Sequence, residues 1–382
     1  MIELETLAKL DEHLGAHAGA LDGVVMQGLD LTGHTEILLA RGLGGAVLLG
    51  CAVERPLAEK AFADGAMVFP AIPDLPFAPY RGSLYAVEEL YDRFDRTAPD
   101  SYAECLDARV YRHFKATGGS APASILETLA RRLHDHAISD ALEELLAGDG
   151  TPRKVVAIMG GHAMLRTDPS YAKVVRMARD LSRRGFLMAS GGGPGAMEAT
   201  HVGPWLAGRD DDALALALNI LAGAPSYRDR EWLARAFEVR ERLPLSDADR
   251  ERYVSLGIPT WLYGHEPPNA FATHVAKYFA NSVREDGLLA IAKHGIVFSP
   301  GSAGTIQEIF QDACQNHYVT QGVASPMVFF GVAYWQQEKP VYPLLRSLAD
   351  AHEYGKWLSI TDSPEKVVEA LVAFDTSGAA AM

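Results

Sequence analysis

Cysteine is scarce in this chain of 382 residues: Cys51, Cys105 and Cys314 are odd in number, scattered and without a CxxC pair. That distribution excludes a disulfide framework and a cysteine zinc site, and fits reduced thiols. Basic charge is also short, with 35 Lys+Arg against 49 Asp+Glu and a formal charge of −14. A nucleic-acid binder that works by neutralising backbone phosphates is thereby excluded. A small anionic ligand is not, because a local cluster of N–H groups can outweigh net charge. Long hydrophobic runs are missing, since Ala46 to Gly50 and Leu214 to Ile220 are far too short for a bilayer. The start Met1-Ile2-Glu3-Leu4-Glu5 lacks a basic n-region, so no signal peptide, no membrane association and a cytoplasmic location are expected. Histidines 162, 201, 265, 274 and 317 lack ligand spacing, and His134 and His136 fall on opposite sides of a helix, so no metal is expected.

What is present is strand–helix alternation. Residues 1–150 read as an N-terminal α/β accessory domain, with strand-like runs Val24 to Met26, Ala46 to Leu49 and Ala66 to Phe69. Pro56 to Asp64 has helical spacing. Pro70 to Tyr85, rich in proline and aromatics, reads as a loop packed by its own rings. Leu126, Leu129, Leu133, Ala137, Leu142 and Leu145 predict the inner face of a helix over 123–146. Gly148-Asp149-Gly150-Thr151-Pro152 reads as a linker.

Residues 151–375 predict a Rossmann-like doubly wound parallel sheet. Its strands are expected at Val155 to Met159, Gly185 to Ala189, Leu214 to Ile220, Pro259 to Tyr263, Ile296 to Phe298, Pro326 to Phe330 and Leu358 to Thr361. Asp168-Pro169 and Ser363-Pro364-Glu365 signal helix starts. Residues 376–382 read as a frayed tail.

Three of these strands end in glycine: Gly160-Gly161, Gly191-Gly192-Gly193-Pro194-Gly195 and Gly301-Ser302-Ala303-Gly304. One such turn is weak evidence, but three at one sheet edge point to a phosphate or nucleotide site. The first strand carries neither GxGxxG nor GxxxxGK[ST], which excludes a dinucleotide fingerprint and a P-loop. A mononucleotide is the expected ligand. Free N–H groups at the helix start, with Ser302 and Thr305, suit the phosphate. Glu308, one turn inside that helix, is the carboxylate placed to do chemistry; the bland alternative is a first-turn acid that complements the helix dipole. Glu198 is read as such a first-turn acid, and Trp261, Tyr263 and His265 to Asn269 as packing, the alternative being that they stack on or contact the base.

The pair Ser190-Gly191-Gly192-Gly193-Pro194-Gly195-Ala196-Met197-Glu198 and Pro300-Gly301-Ser302-Ala303-Gly304-Thr305-Ile306-Gln307-Glu308 resembles the GGG and PGGxGTxxE motifs of the LOG ("lonely guy") family. Ser302 stands where that pattern has its second glycine. The resemblance covers roughly residues 153–374. It implies hydrolysis of the N-glycosidic bond of nucleoside 5′-monophosphates to free base and ribose 5-phosphate. The extra N-terminal domain is similar in layout to the larger bacterial nucleotide nucleosidases. The resemblance further implies a catalytic arginine at Arg284, in Tyr278 to Gly287, and a homo-oligomer, dimer or higher. The lysine-decarboxylase label that many members carry needs a lysine for pyridoxal phosphate, and no lysine here ends a glycine-flanked strand, so no cofactor is expected. The competing reading is a sensor or carrier that binds a nucleotide without cleaving it.

Overall fold

A computed structural model describes residues 1–350 and 352–376. The tail at 377–382 lies outside the described residues; Thr376 closes the last helix. Two compact units form: residues 1–84 with 112–145, and residues 85–111 with everything from 146 on.

The first unit holds a parallel sheet in the order β1 (Ile2–Leu4), β2 (Val24–Gln27), β3 (Val47–Leu49) and β4 (Met67–Phe69). Its core gathers Leu4, Leu10, Met26, Leu38, Leu48 and Leu57. Between β3 and β4 runs the helix Arg55–Asp64, closed by Gly65 in the left-handed region. No regular element is assigned within 70–84, where Phe77, Tyr80 and Arg81 are buried. The long helix Ile125–Ala147 forms, but its inner face is rotated from the expected one. Leu126 and Leu129 are exposed, while Ala130, Arg131, His134, Ala137, Ile138 and Ala141 are buried. The polar residues on that face are satisfied: Arg131 Nε donates to Glu127 Oε1 at 2.7 Å and Nη2 to Thr117 Oγ1 at 2.6 Å. A count of apolar positions is blind to such internal pairing.

The second unit is a parallel α/β layer. Its strands are β5 (Lys154–Met159), β6 (Phe186–Ser190), β7 (Ser255–Gly257), β8 (His274–Val275), β9 (Ile296–Phe298), β10 (Met327–Phe330) and β11 (Leu358–Thr361). They lie in the order β11-β10-β9-β5-β6-β7-β8. From β5 the chain winds outward through β6, β7 and β8, then returns to lay β9, β10 and β11 on the other side. The reversal falls between β5 and β9, which pair Ile158 with Val297 and Met159 with Phe298. Strands buried on both faces need continuous apolar runs, and Val155 to Met159 and Ile296 to Phe298 provide them.

Two expected strands are corrected. Leu214 to Ile220 belongs to a helix, Asp211–Ala222, capped by Asp210, whose Oδ1 accepts from Ala213 N at 2.9 Å. Leu214, Ala217, Ile220 and Leu221 line its buried side at helical spacing; a short apolar run alone cannot tell strand from helix. At 259–263, Thr260 makes only an isolated bridge to Tyr278, and Trp261–Tyr263 is a 3-10 turn. The strand itself, β7, ends before Pro259, which has no N–H for a ladder.

Residues 85–111 join this unit through long-range contacts. Tyr85 and Val275 exchange backbone hydrogen bonds at 3.0 and 2.9 Å. Lys277 and Asp107, both fully buried, form an ion pair, and Tyr102 donates to the other Asp107 oxygen at 2.8 Å. The division is therefore not a single cut near residue 150. Among the described residues, no helix is long and apolar enough to cross a membrane.

Candidate functional site

The helices that build the site are α1 (Pro169–Arg183), α2 (Ala196–Trp205), α3 (Asn281–Ile291) and α4 (Ala303–Tyr318). At the carboxyl ends of β5, β6, β7 and β9, beside the point where the sheet order reverses, lies a cavity of about 390 Å³. Doubly wound sheets place their ligand crevice at this point.

One wall is the start of α4. Ser302 takes the cap position without a side-chain cap bond, and the first ladder bond is Ile306 N to Ser302 O at 3.0 Å. The N–H groups of Ala303, Gly304 and Thr305 therefore precede the ladder and remain for a ligand, at the positive end of a sixteen-residue helix dipole. Ser302, Gly304 and Thr305 line the cavity, as do Gly160, Gly161, Gly191 and Gly193.

Three residues of the expected phosphate set stand outside this lining. Gly192, Gly195 and Gly301 do not line this cavity. Gly192 is a framework residue whose carbonyl accepts from Asn269 N at 2.8 Å and Nδ2 at 2.9 Å. Gly195 sits at φ +70°, where a Cβ would come within 2.4 Å of the Gly161 carbonyl oxygen. The turn itself requires glycine there. Gly301 faces an adjoining cavity of about 560 Å³, and its carbonyl accepts from the Tyr334 hydroxyl.

Arg284 projects from α3 and is buried; its Nε donates to Ile258 O at 2.8 Å. Its Nη2 lies 2.2 Å from where a Cβ on Gly191 would stand, so only a residue with no side chain lets the guanidinium through. Glu308 approaches from α4, with Oε1 4.0 Å from Arg284 Nη1. That separation is too long for a hydrogen bond, so the arginine only partly offsets burial. Burial pushes the Glu308 carboxyl up to about 7, with Arg284 pulling it down and the neighbouring Glu285 adding to the rise. Glu285 is itself held by Asn281 Nδ2 at 2.7 Å and Gln307 Nε2 at 3.1 Å.

One turn further along α4, Asp312 is buried with Oδ2 lacking a partner, and burial pushes it up to about 8. Glu308 and Asp312 both bind a proton more tightly in the folded protein. Their favourable contribution is complete below the unfolded value and is lost as pH rises through about 7 and 8 respectively. Thermal denaturation from pH 4.5 to 8.5 is expected to show the melting temperature of the wild type falling across this range, and falling less in Asp312→Asn. Parallel curves would show that Asp312 does not titrate there.

Sequence reasoning missed His162, Met197, Pro259, Thr260, Glu285 and Gln307, which also line the cavity, as does Glu266, in the loop read as packing or base contact. Glu285 and Gln307 adjoin Arg284 and Glu308, so adjacency was an available signal; for the rest only the fold brings them in. Tyr263, expected to pack, lines the cavity as well, whereas Trp261 is core, stacked on Phe279 at 4.5 Å. Glu198 is more than a first-turn acid. It is fully buried and accepts from Arg166 Nε at 2.8 Å, Arg166 Nη2 at 2.5 Å and the Tyr171 hydroxyl at 2.8 Å. Arg166 closes the network on the carbonyls of Ala224 and Trp232. This pins the segment that carries His162 to α2.

No family model and no curated protein matches the chain. Among solved structures, it is similar to the molybdenum cofactor binding protein from the phototrophic bacterium Rippkaea orientalis, at TM-score 0.36 and 11% identity, over 58% of this chain and 98% of that one. It is also similar to the Moco carrier protein from Chlamydomonas reinhardtii, at TM-score 0.37 and 12% identity, over 59% and 99%.

Proposed function

We propose that the second unit binds a nucleoside 5′-monophosphate in this cavity and hydrolyses its N-glycosidic bond, the activity implied by the LOG-like motifs. The observation that carries the reading is a carboxyl tuned to about 7 that faces an arginine in the same cavity as an uncapped helix start. The 5′-phosphate sits on the N–H groups of Ala303 to Thr305. Glu308 takes a proton from the water whose oxygen bonds to C1′. The C1′–N electron pair leaves with the base, whose nitrogen then receives the proton. Arg284 hydrogen-bonds the ligand and stabilises negative charge as it develops. A homo-oligomer is part of the same proposal, and light scattering measures it.

The second reading is binding without cleavage, as in a sensor or carrier. The value of about 7 favours it in one respect: near neutrality half of the Glu308 carboxyls hold a proton and serve only as hydrogen-bonding groups. The solved neighbours are also named as a binding protein and a carrier, but at TM-scores of 0.36 and 0.37 that likeness does not decide between the readings. Incubation with AMP, GMP, CMP and UMP, assayed for free base and ribose 5-phosphate, separates them. Release of both products supports hydrolysis. Binding of a monophosphate with no turnover of any of the four establishes the carrier reading.

A further inference from the structure

Three carboxylates line the cavity, and they are not equivalent. Glu285 is satisfied by two side-chain amides, from Asn281 and Gln307. Glu308 faces Arg284. Glu266 faces two histidines. Its side chain is only 16% exposed, yet neither oxygen accepts a hydrogen bond among the described residues; the nearest bases are His162 Nδ1 at 3.5 Å and His265 Nε2 at 3.9 Å. Its Oε2 lies 3.8 Å from where a Cβ on Gly193 would stand, so the glycine leaves that edge uncovered. The cavity lining also includes the flat or apolar side chains of Met197, Pro259 and Tyr263. Both oxygens are reached from the cavity and are not among the buried unpartnered atoms, so they form an acceptor pair that a ligand with donors can take.

A cation is one kind of partner, but the residues around Glu266 do not gather as metal ligands. Among the described residues, the side chains that come together at metal spacing are Glu3, Glu5 and Glu144 in the first unit, not Glu266 with His162 and His265. A heterocycle with two adjacent N–H donors fits better. Guanine offers N1–H and the 2-amino group side by side, matching the two oxygens of one carboxylate. Adenine and cytosine offer one amino group beside a ring nitrogen acceptor, and uracil one N–H between two carbonyls, so each sets a lone pair against the carboxylate.

We infer that Glu266 reads the edge of the bound heterocycle and selects a 2-amino-4-oxo ring system, the edge shared by guanine and pterins. The inference rests on the cavity as a site for a phosphorylated heterocycle and is independent of whether cleavage follows. With the phosphate on the start of α4, the ligand is GMP or a pterin monophosphate.

The substitution Glu266→Gln tests this because it swaps one acceptor for a donor without changing shape. A glutamine opposes guanine at one position and matches the donor–acceptor edge of adenine. The full-length protein and the variant are titrated calorimetrically with GMP, AMP, CMP, UMP and neopterin monophosphate. In the wild type, GMP or the pterin phosphate is expected to bind at least about tenfold tighter than AMP, CMP and UMP. In Glu266→Gln that ligand weakens by about tenfold or more while AMP tightens. Whichever of GMP and the pterin phosphate binds tighter identifies the source of the edge. AMP binding as tightly as GMP and the pterin in the wild type overturns the inference. So does an equal loss for every ligand in the variant, which would make Glu266 a loop-shaping residue. Pterin binding alone, abolished in Glu266→Gln, sustains the inference while removing the nucleotide reading; binding of none removes both.

Discussion

Glu308→Gln is expected to lower kcat for nucleoside monophosphate cleavage by about 10²–10⁴-fold, the usual contribution of a positioned general base. Nucleotide affinity should change by less than about tenfold, because glutamine keeps the shape and one acceptor. The pH profile makes the assignment specific. With Glu308 as the base, only its ionised form is active, so wild-type kcat rises with pH through about 7 and levels off above. The variant should lose that rising limb along with the rate. A rate that survives unchanged, or a limb that persists without the carboxyl, removes Glu308 from the chemistry. Activity and stability then run in opposite directions, since the ionisation that makes the base competent also ends the contribution of its bound proton to folding.

Glu198→Ala is expected to be the most destabilising single change near the site. It strips Arg166, whose side chain is 1% exposed, of the carboxylate it pairs with and leaves the Tyr171 hydroxyl without its acceptor. Breaking a buried pair from one side costs about 3–5 kcal/mol, which corresponds to a fall in melting temperature of roughly 6–20 °C. Glu198→Gln, which still accepts, should fall between the variant and the wild type. Chemical denaturation measures this directly. A loss below about 1 kcal/mol in Glu198→Ala would show that Arg166 is satisfied by the Ala224 and Trp232 carbonyls alone. Because the pair fixes the segment leading to His162, ligand affinity should weaken in the same variant even where it remains folded.

The sequence by itself determined the parts of this protein that are local. The strands β5, β6, β9 and β10 are short apolar runs with glycine or proline at or just past their ends, and each is recognisable from its own residues. The glycine-rich ends of β5, β6 and β9, with Arg284 and Glu308, come together at one cavity. Tertiary structure decided what depends on distant partners. Leu214 to Ile220 became a helix because one side of it is buried at helical spacing, information absent from its composition. Residues 85–111 joined the second unit through Val275 and Lys277, more than 160 positions away from their partners. Gly192 and Gly195 carry the same glycine signal as Gly191 and Gly193, yet their positive φ angles and close backbone neighbours show that the turn itself requires glycine, while Gly301 faces an adjoining cavity. Glu266 has no distinguishing neighbour in the chain. It becomes an acceptor in a cavity only when its loop is laid against Gly193 and His162, because a carboxylate's role is set by what surrounds it in space.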